Sequence, residues 1–315
     1  MAQAVWLAEL SHPSPRPHLS HGRRGSAVMP NTTFCKVWAT TEEVSPLPSE
    51  PFLTAYMVVL ALSALVVGVA VRNLRPKEMR RLLADAGVAL HKVTKTAREI
   101  ERKIFHLSGL LVPLIYQVLL QYRFSQRDCT RICWVITVVG FSSDMLRIHV
   151  PVVQRNWPLK AILRDQEQTQ LCGGSYFALG CTLAIHFFAP VIAMTSIIFL
   201  VLGDMSAALI GRSFGQSVCS MKIGPGGKKS VEGSAAMFLV CFIFGCTIFS
   251  QVHLREYSVF LAALSATLTE LYEPFGINDN VSIPVLSSLA LTFGFARIYS
   301  CEPTQNPLLW YAKHG

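Results

Sequence analysis

Charged residues leave long intervals of this chain untouched. Residues 52–71 (FLTAYMVVLALSALVVGVAV) carry no charge at all. As a helix rising 1.5 Å per residue, that run is long enough to cross a hydrocarbon core about 30 Å thick. Seven more apolar stretches follow, at about 104–120, 132–150, 176–188, 191–210, 235–250, 257–271 and 283–295, of which the fourth and seventh spans are short. The pattern predicts an all-α fold, a polytopic membrane helical bundle of about eight transmembrane helices. It divides the chain into an N-terminal tail (1–51), a first span (52–71), a basic linker helix (72–103), a multi-span domain (104–298) and a C-terminal tail (299–315).

Composition strengthens this picture. The chain has 315 residues, 51% hydrophobic and 15% charged, against about 25% charged in an ordinary soluble domain. The net charge of +9 could indicate nucleic acid, but its placement argues for asymmetric membrane loops, so no nucleic-acid partner is expected. Segments 72–103, 151–174 and 211–231 hold seventeen Lys and Arg, while the opposing loops offer only Arg123, Arg127, Arg131 and Arg255. The basic side is therefore read as cytoplasmic. An even number of spans puts both termini on the other side.

The first fifty residues hold six prolines and read as a disordered lumenal tail in preference to a transit peptide. Asn31-Thr32-Thr33 is a glycosylation sequon usable only on the lumenal side. Residues 76–102 read as a basic amphipathic helix, suited either to an anionic membrane surface or to solvent. The nine cysteines include no CxxC pair and lie mostly in apolar runs, which reads as structural thiols rather than a metal site or disulfide framework.

Ionisable groups in or at the ends of spans are costly, so each calls for a reason. Asp144 and Arg147 lie one helical turn apart and could simply neutralise each other. Gly203, Ala207 and Gly211 recur every fourth residue, which suits close helix packing, yet packing does not require the carboxylate of Asp204. Glu270, Asp279 and Asn280 could hold Mg²⁺ (or Ca²⁺) together with substrate phosphates, or form an ordinary acidic turn. GPGGKKSVEGS (224–234) brings Lys228 and Lys229 to a helix start where Ser230 can cap and free N–H groups favour an anion. It lacks the spacing of a Walker A loop. Arg102, Lys103 and His106 open the second span, and Arg164 and Glu167 lie in the 151–174 loop. All of these map to one side of the membrane. Cations and carboxylates gathered there point to a phosphorylated, water-soluble donor meeting a lipid acceptor.

Six motifs in order carry a resemblance: EIERKIFH (99–106), SSDMLR (142–147), ILRDQE (162–167), GDMSAALIGRSFG (203–215), KKSVEGS (228–234) and INDNVSIPVLSSL (277–289). Over about 99–295 the chain resembles the CTP-dependent lipid kinases. That superfamily includes the fungal diacylglycerol kinases, dolichol kinase and phytol kinase, and it is related to phosphatidate cytidylyltransferase. ILRDQE, DNVSIPVLSSL and the modest length resemble the diacylglycerol kinases most.

The resemblance implies transfer of the γ-phosphoryl of CTP to diacylglycerol, giving phosphatidate and CDP. The acceptor alternatives are dolichol, another polyprenol or phytol. The alternative chemistry is cytidylyl transfer, and the alternative class is a non-catalytic lipid-binding protein. Catalytic roles are expected for Asp204, Arg102, Lys103 and Lys229. Gly203, Gly211, Arg212, Lys228, Ser230, Asp279 and Asn280 are expected at the nucleotide. His106, Asp144, Arg147, Arg164, Glu167 and Glu270 are expected in support, with Asp204 and Asp279 as metal ligands. Asn278 departs from the family, which usually has a second Asp there. The expected location is the endoplasmic reticulum with the catalytic face cytosolic, a plastid membrane being the alternative.

Overall fold

Every one of the eight apolar stretches coincides with a helix wherever the structure describes it. The computed structural model describes residues 49–74, 76–85, 106–157, 170–214, 222–224, 229–252 and 254–299, all within the unit of the chain that begins at Val44. In order, the elements are α1 (Glu50–Asn73), α2 (Pro76–Asp85), a 3-10 turn (Ser108–Leu110) leading into α3 (Leu111–Gln121), α4 (Gln126–His149) and α5 (Pro151–Arg155). Next come α6 (Gly173–Phe187), α7 (Pro190–Ile198), a π-helical turn (Phe199–Gly203) and α8 (Asp204–Ser213). Strands β1 (Lys222–Ile223) and β2 (Lys229–Ser230), α9 (Val231–Ile248), α10 (Arg255–Tyr272), a 3-10 turn (Pro274–Gly276) and α11 (Asp279–Tyr299) complete the described chain.

Local chemistry sets several boundaries. Ser125 and Asp128 form a reciprocal capping box at the start of α4, and the chain leaves that helix at Val150, just before Pro151. Such a box satisfies two of the N–H groups that a helix start leaves without partners. Ser230 caps α9 by accepting from the Gly233 N–H at 3.1 Å, as its position before the apolar run predicts. The expectation of helix alone is corrected at one place. Lys222 and Ile223 pair antiparallel with Ser230 and Lys229, a two-residue ladder too short to show in a hydrophobic pattern.

Among the described residues four rods are long and apolar enough to cross a membrane: Glu50–Asn73, Gln126–His149, Pro190–Ser213 and Val231–Ile248. The 108–121 helix is apolar but shorter. The expected count of about eight is thus matched by length and composition for four. α6 has 15 residues, short of the roughly 20 that a crossing needs, and α10 and α11 break their apolar runs with Ser, Thr and Glu side chains that are buried among neighbours.

The rod made of α7, the π turn and α8 is the centre of the bundle. Ile197, Ile198, Leu200 and Val201 are fully buried, as expected of a helix that is apolar all round. It contacts α9, α11 and α6, while α10 packs on both α9 and α11, α6 lies against α4 and α11, and α1 packs on α3. α1 and α4 instead expose Val59, Leu65, Val66, Val135, Ile136 and Val139. Apolar surface of that extent in water would drive association. Facing lipid it carries no such penalty, and the helices are then held by close packing and buried polar contacts.

Polar contacts link the helices at both ends of the bundle, with Thr137–Thr182 and Ser196–Ser288, each at 2.7 Å, between them. One end joins Tyr56 to Thr247 at 2.8 Å, Gln121 to Thr54 at 2.5 Å and Gln126 to the Ile185 and Phe188 carbonyls at 2.9 Å. The other holds His106, Asp144, the starts of α6, α9 and α11, and the ends of α8 and α10. Successive long helices therefore alternate in direction.

Candidate functional site

A single lysine organises the polar end. β2 places Lys229 at the mouth of α9, where its Nζ lies 2.6 Å from Glu270 Oε1 and 3.6 Å from Glu273 Oε1. The Glu270 side chain is 6% exposed and that of Lys229 29%, so the pair is only partly screened by water. Burial works against the lysine charge. Glu270, by charge and hydrogen bond, together with Asp279 and Glu273, more than offsets it and raises the Lys229 pKa above its ordinary 10.5. The charges of Asp204 and Asp279 also act on Glu270. Lys229 thus stands in the field of three carboxylates, from α10, the turn after α10, and α11, and Asp204 of α8 acts in turn on Glu270.

Asp204 opens α8 immediately after the π turn. Its Oδ2 lies 3.5 Å from His106 Nε2, and the His106 ring meets Phe177 of α6 edge-on at 5.7 Å between centroids. π turns insert an extra residue into the i→i−4 ladder and are frequent at functional sites. Here the Phe199 carbonyl, at the start of the turn, lies 3.8 Å from Cys241 Sγ of α9, which donates to it.

Small residues allow the elements to converge. A Cβ at Gly233 would lie 2.8 Å from the Ala207 carbonyl oxygen and 3.2 Å from Gly211 Cα, and one at Gly211 would lie 3.0 Å from Ser230 Oγ. The stripe Gly203, Ala207 and Gly211 is therefore a packing face, as its spacing allows. Gly203 packs on Cys241 and Met237, and Gly211 seats the start of α9 against α8. Arg212, next along, is exposed.

α11 begins beside this cluster. Asn278 Oδ1 and Asp279 Oδ1 both accept the Asn280 N–H, at 3.0 and 2.9 Å, and the Asn278 carbonyl receives Val281 and Ser282. Asn278, the departure from the family pattern, is thus a helix N-cap, a role to which Asn is well suited. The Asn280 amide reaches the Gly173 carbonyl of α6 at 3.4 Å.

The structure brings Asp204, His106, Lys229, Glu270 and Asp279 into one region, with Ser230 and Asn280 at its edges. Asp144 and Arg147 form a separate buried network, joined to that region through α6. Arg102, Lys103, Arg164, Glu167 and Lys228 lie outside the described residues, as does Asn31. Sequence reasoning missed Glu273, the π turn and the β1–β2 pair. Glu273 was visible as an acid three residues after Glu270; nothing in the FLVLG sequence announces a π turn.

Among the described residues no group of three or more His, Cys, Asp or Glu side chains is arranged to hold a metal ion. A Mg²⁺ ion needs only one or two carboxylates when substrate phosphates supply other ligands, and the anionic surround of Lys229 has that character. Carboxylates for a cation and a lysine for an anion, on one rim of an apolar bundle, suit a phosphorylated nucleotide.

Comparison with known proteins points the same way. The chain is 27% identical over 222 residues to CTP-dependent diacylglycerol kinase 1 of Saccharomyces cerevisiae, covering 62% of this chain and 72% of that protein. The chain is similar to the CTP-dependent lipid kinases. The Schizosaccharomyces pombe protein of the same name is 26% identical over 209 residues, 61% of this chain and 92% of its own. A Triticum aestivum protein named "Probable phytol kinase, chloroplastic" is 29% identical over 153 residues, 43% of this chain and 49% of its own. No family model matches the chain, and no solved structure matches it.

Proposed function

We propose that this chain is an integral membrane lipid kinase that transfers the γ-phosphoryl of CTP to diacylglycerol, giving phosphatidate and CDP, on the cytosolic face of the endoplasmic reticulum. The observation that carries the reading is the convergence of Asp204, Lys229, Glu270 and Asp279 on one rim of the bundle, in a chain similar to lipid kinases.

Phosphoryl transfer is mostly positioning and charge neutralisation. Arg102, Lys103 and Lys229 take the triphosphate, with Lys228, Arg212 and the capped start of α9 at Ser230 completing the anion site. Gly203 and Gly211 let α8 and α9 approach closely enough to form it. Asp204 holds either a Mg²⁺ (or Ca²⁺) ion or the acceptor hydroxyl, and Asp279 and Asn280 serve the metal or the cytidine. A bound divalent cation would neutralise phosphate charge. Glu270 holds Lys229 in place, His106 orients Asp204, and Asp144, Arg147, Arg164 and Glu167 support the site from behind. In the reaction the lipid oxygen bonds to the γ-phosphorus, the bond from that phosphorus to the bridging oxygen breaks with that oxygen leaving on CDP, and the hydroxyl proton passes to Asp204 or to water.

The wheat relative's name favours one second reading, an isoprenoid alcohol as acceptor. The test is purified full-length protein in lipid with γ-labelled CTP and a panel of diacylglycerol, dolichol, phytol and phosphatidate. Label in phosphatidate supports the proposal, and label in another lipid phosphate selects the second reading. Label in pyrophosphate, with CMP left on the lipid, would identify a cytidylyltransferase, and no CTP-dependent change in any lipid would overturn the kinase reading.

A further inference from the structure

The Asp144–Arg147 pair does more than cancel its own charge. Both side chains are almost wholly buried, at 2% and 1% exposure. Arg147 Nε donates to Asp144 Oδ1 at 3.0 Å, and its Nη2 donates to the Gln170 carbonyl at 2.8 Å. The guanidinium lies over the Trp157 ring at 5.8 Å. The other carboxylate oxygen, Asp144 Oδ2, accepts the Cys172 N–H at 2.9 Å and the Ser175 hydroxyl at 2.6 Å.

Cys172 is the N-cap of α6, and its own side chain makes no capping bond. Asp144 supplies that function from α4, placing a negative charge at the positive end of α6 and taking one of the N–H groups that the helix start leaves open. The next residue, Gly173, presents the carbonyl that receives the Asn280 amide. α6 meets the same residue again at Gly180, where a Cβ would collide with the Asn280 carbonyl oxygen. A chain of contacts therefore runs from a buried ion pair on α4, through the start of α6, to the first turn of α11, where Asp279 acts on Lys229 and Glu270.

We propose that Asp144, Arg147 and Ser175 are positioning residues for the nucleotide: they cap α6 from α4 and thereby fix Asn280 and Asp279 at the start of α11. The inference rests on the kinase reading for its kinetic consequences but not for its structural one. None of the three need touch substrate. Because two charges are buried together, removing one strands the other and can prevent folding. The sharper probe is therefore S175A, which removes the 2.6 Å link and leaves the ion pair intact, with S175T as the conservative variant that restores a hydroxyl.

The experiment uses full-length protein in lipid bilayers and two readouts. Hydrogen exchange of the amides at 280–282 reports the first turn of α11, with the amides at 256–257 at the far end as the internal control. Steady-state kinetics with CTP and diacylglycerol report the site. In S175A exchange at 280–282 rises while the control is unchanged. KM for CTP rises about tenfold, the scale of one hydrogen bond to a charged group, while kcat and the KM for lipid stay within about twofold of wild type on the same scale. S175T returns both readouts toward wild type. The change in KM caused by N280A and that caused by S175A combine to less than their product, since both act on one contact.

Unchanged exchange at 280–282 in S175A overturns the proposal whatever the enzyme does. Independent, multiplicative effects of S175A and N280A overturn it as well. If wild-type protein moves no phosphate from CTP but exchange still rises in S175A, the kinase reading fails and the structural coupling stands.

Discussion

Lys229 and Glu270, forty-one residues apart in the chain, meet at 2.6 Å and join the start of α9 to the end of α10. Lys229→Met leaves the Glu270 carboxylate facing Asp204 and Asp279 without its cation. Breaking a buried pair in this way costs about 3–5 kcal/mol, and the partial exposure of Lys229 puts the expected loss toward the lower end. The K229M/E270L double variant recovers most of that stability, because a well-packed apolar pair can replace a buried ion pair, but it recovers no CTP-dependent lipid phosphorylation. Thermal unfolding in lipid together with the labelled-CTP assay checks both halves. Activity in the double variant would remove Lys229 from the anion site.

The same pair sets a pH dependence. The folded-state pKa of Lys229 is raised above 10.5, so the stability it contributes is fully present below the unfolded value and is lost only as pH rises through the folded one. Between pH 7 and 9 the difference in unfolding temperature between wild type and Lys229→Met therefore does not narrow. It narrows only above pH 10.5. A gap that closes near neutrality would show that another group controls this contact.

Asp204→Asn removes a charge while keeping the shape. Turnover is expected to fall on the order of 10²-fold or more, the scale seen when a transition-state partner is removed. Its partner His106 Nε2, at 3.5 Å, can still approach the amide, so unfolding temperature moves little. Wild-type turnover in the purified variant would end the assignment.

How much of this was legible beforehand follows the range of the interactions. Eight apolar stretches and the Ser230 cap are local signals, and all are helical or capping as read. The packing role of Gly203, Ala207 and Gly211 was legible from a spacing of four. The contacts that build the site are not local. Lys229 finds Glu270 only because α9 and α10 pack, and Asp144 caps a helix whose first residue lies twenty-nine positions later. A pair four residues or fewer apart on one helix can be read from spacing, and so Asp144 with Arg147 was expected to neutralise, which it does. That the other oxygen of Asp144 serves α6 depends on tertiary fold. The π turn falls outside any period-based reading, since i→i+5 bonding leaves apolar composition unchanged.

Two glycines separate packing from propensity. At Gly180 a Cβ would collide with the Asn280 carbonyl oxygen and lie 3.0 Å from the Pro284 ring, whereas at Gly140 it would meet nothing within 4 Å. Gly180→Ala forces α6 and α11 apart and costs about 1–3 kcal/mol, the usual scale of overpacking. It also weakens CTP binding by moving the start of α11. Gly140→Ala, at a half-buried position of α4 with open space for a Cβ, is neutral or stabilises by up to about 1 kcal/mol, the propensity difference between the two residues. Unfolding temperatures of the two variants in the same bilayer give the comparison, and equal effects would contradict the α6–α11 contact.

Sidedness is the most exposed consequence of the fold, because the two ends of the bundle carry different contacts. Single cysteines introduced at exposed positions into a cysteine-depleted chain, then labelled with an impermeant thiol reagent in sealed vesicles, report it directly. Positions 212, 273 and 276 lie at the end that holds Lys229 and Glu270, and positions 122, 187 and 251 at the end that holds Tyr56 and Thr247. The first three label together from one side and the second three together from the other. From the loop charges, seventeen basic residues against four, the first set is expected to label from the cytosolic side. If 212 and 273 label from opposite sides, α8 and α10 do not end on one rim, and Asp204, Lys229 and Glu270 could not serve one nucleotide. Common labelling from the lumenal side would keep the pocket intact but remove it from cytosolic CTP, and it would overturn the location proposed for the reaction while leaving its chemistry standing.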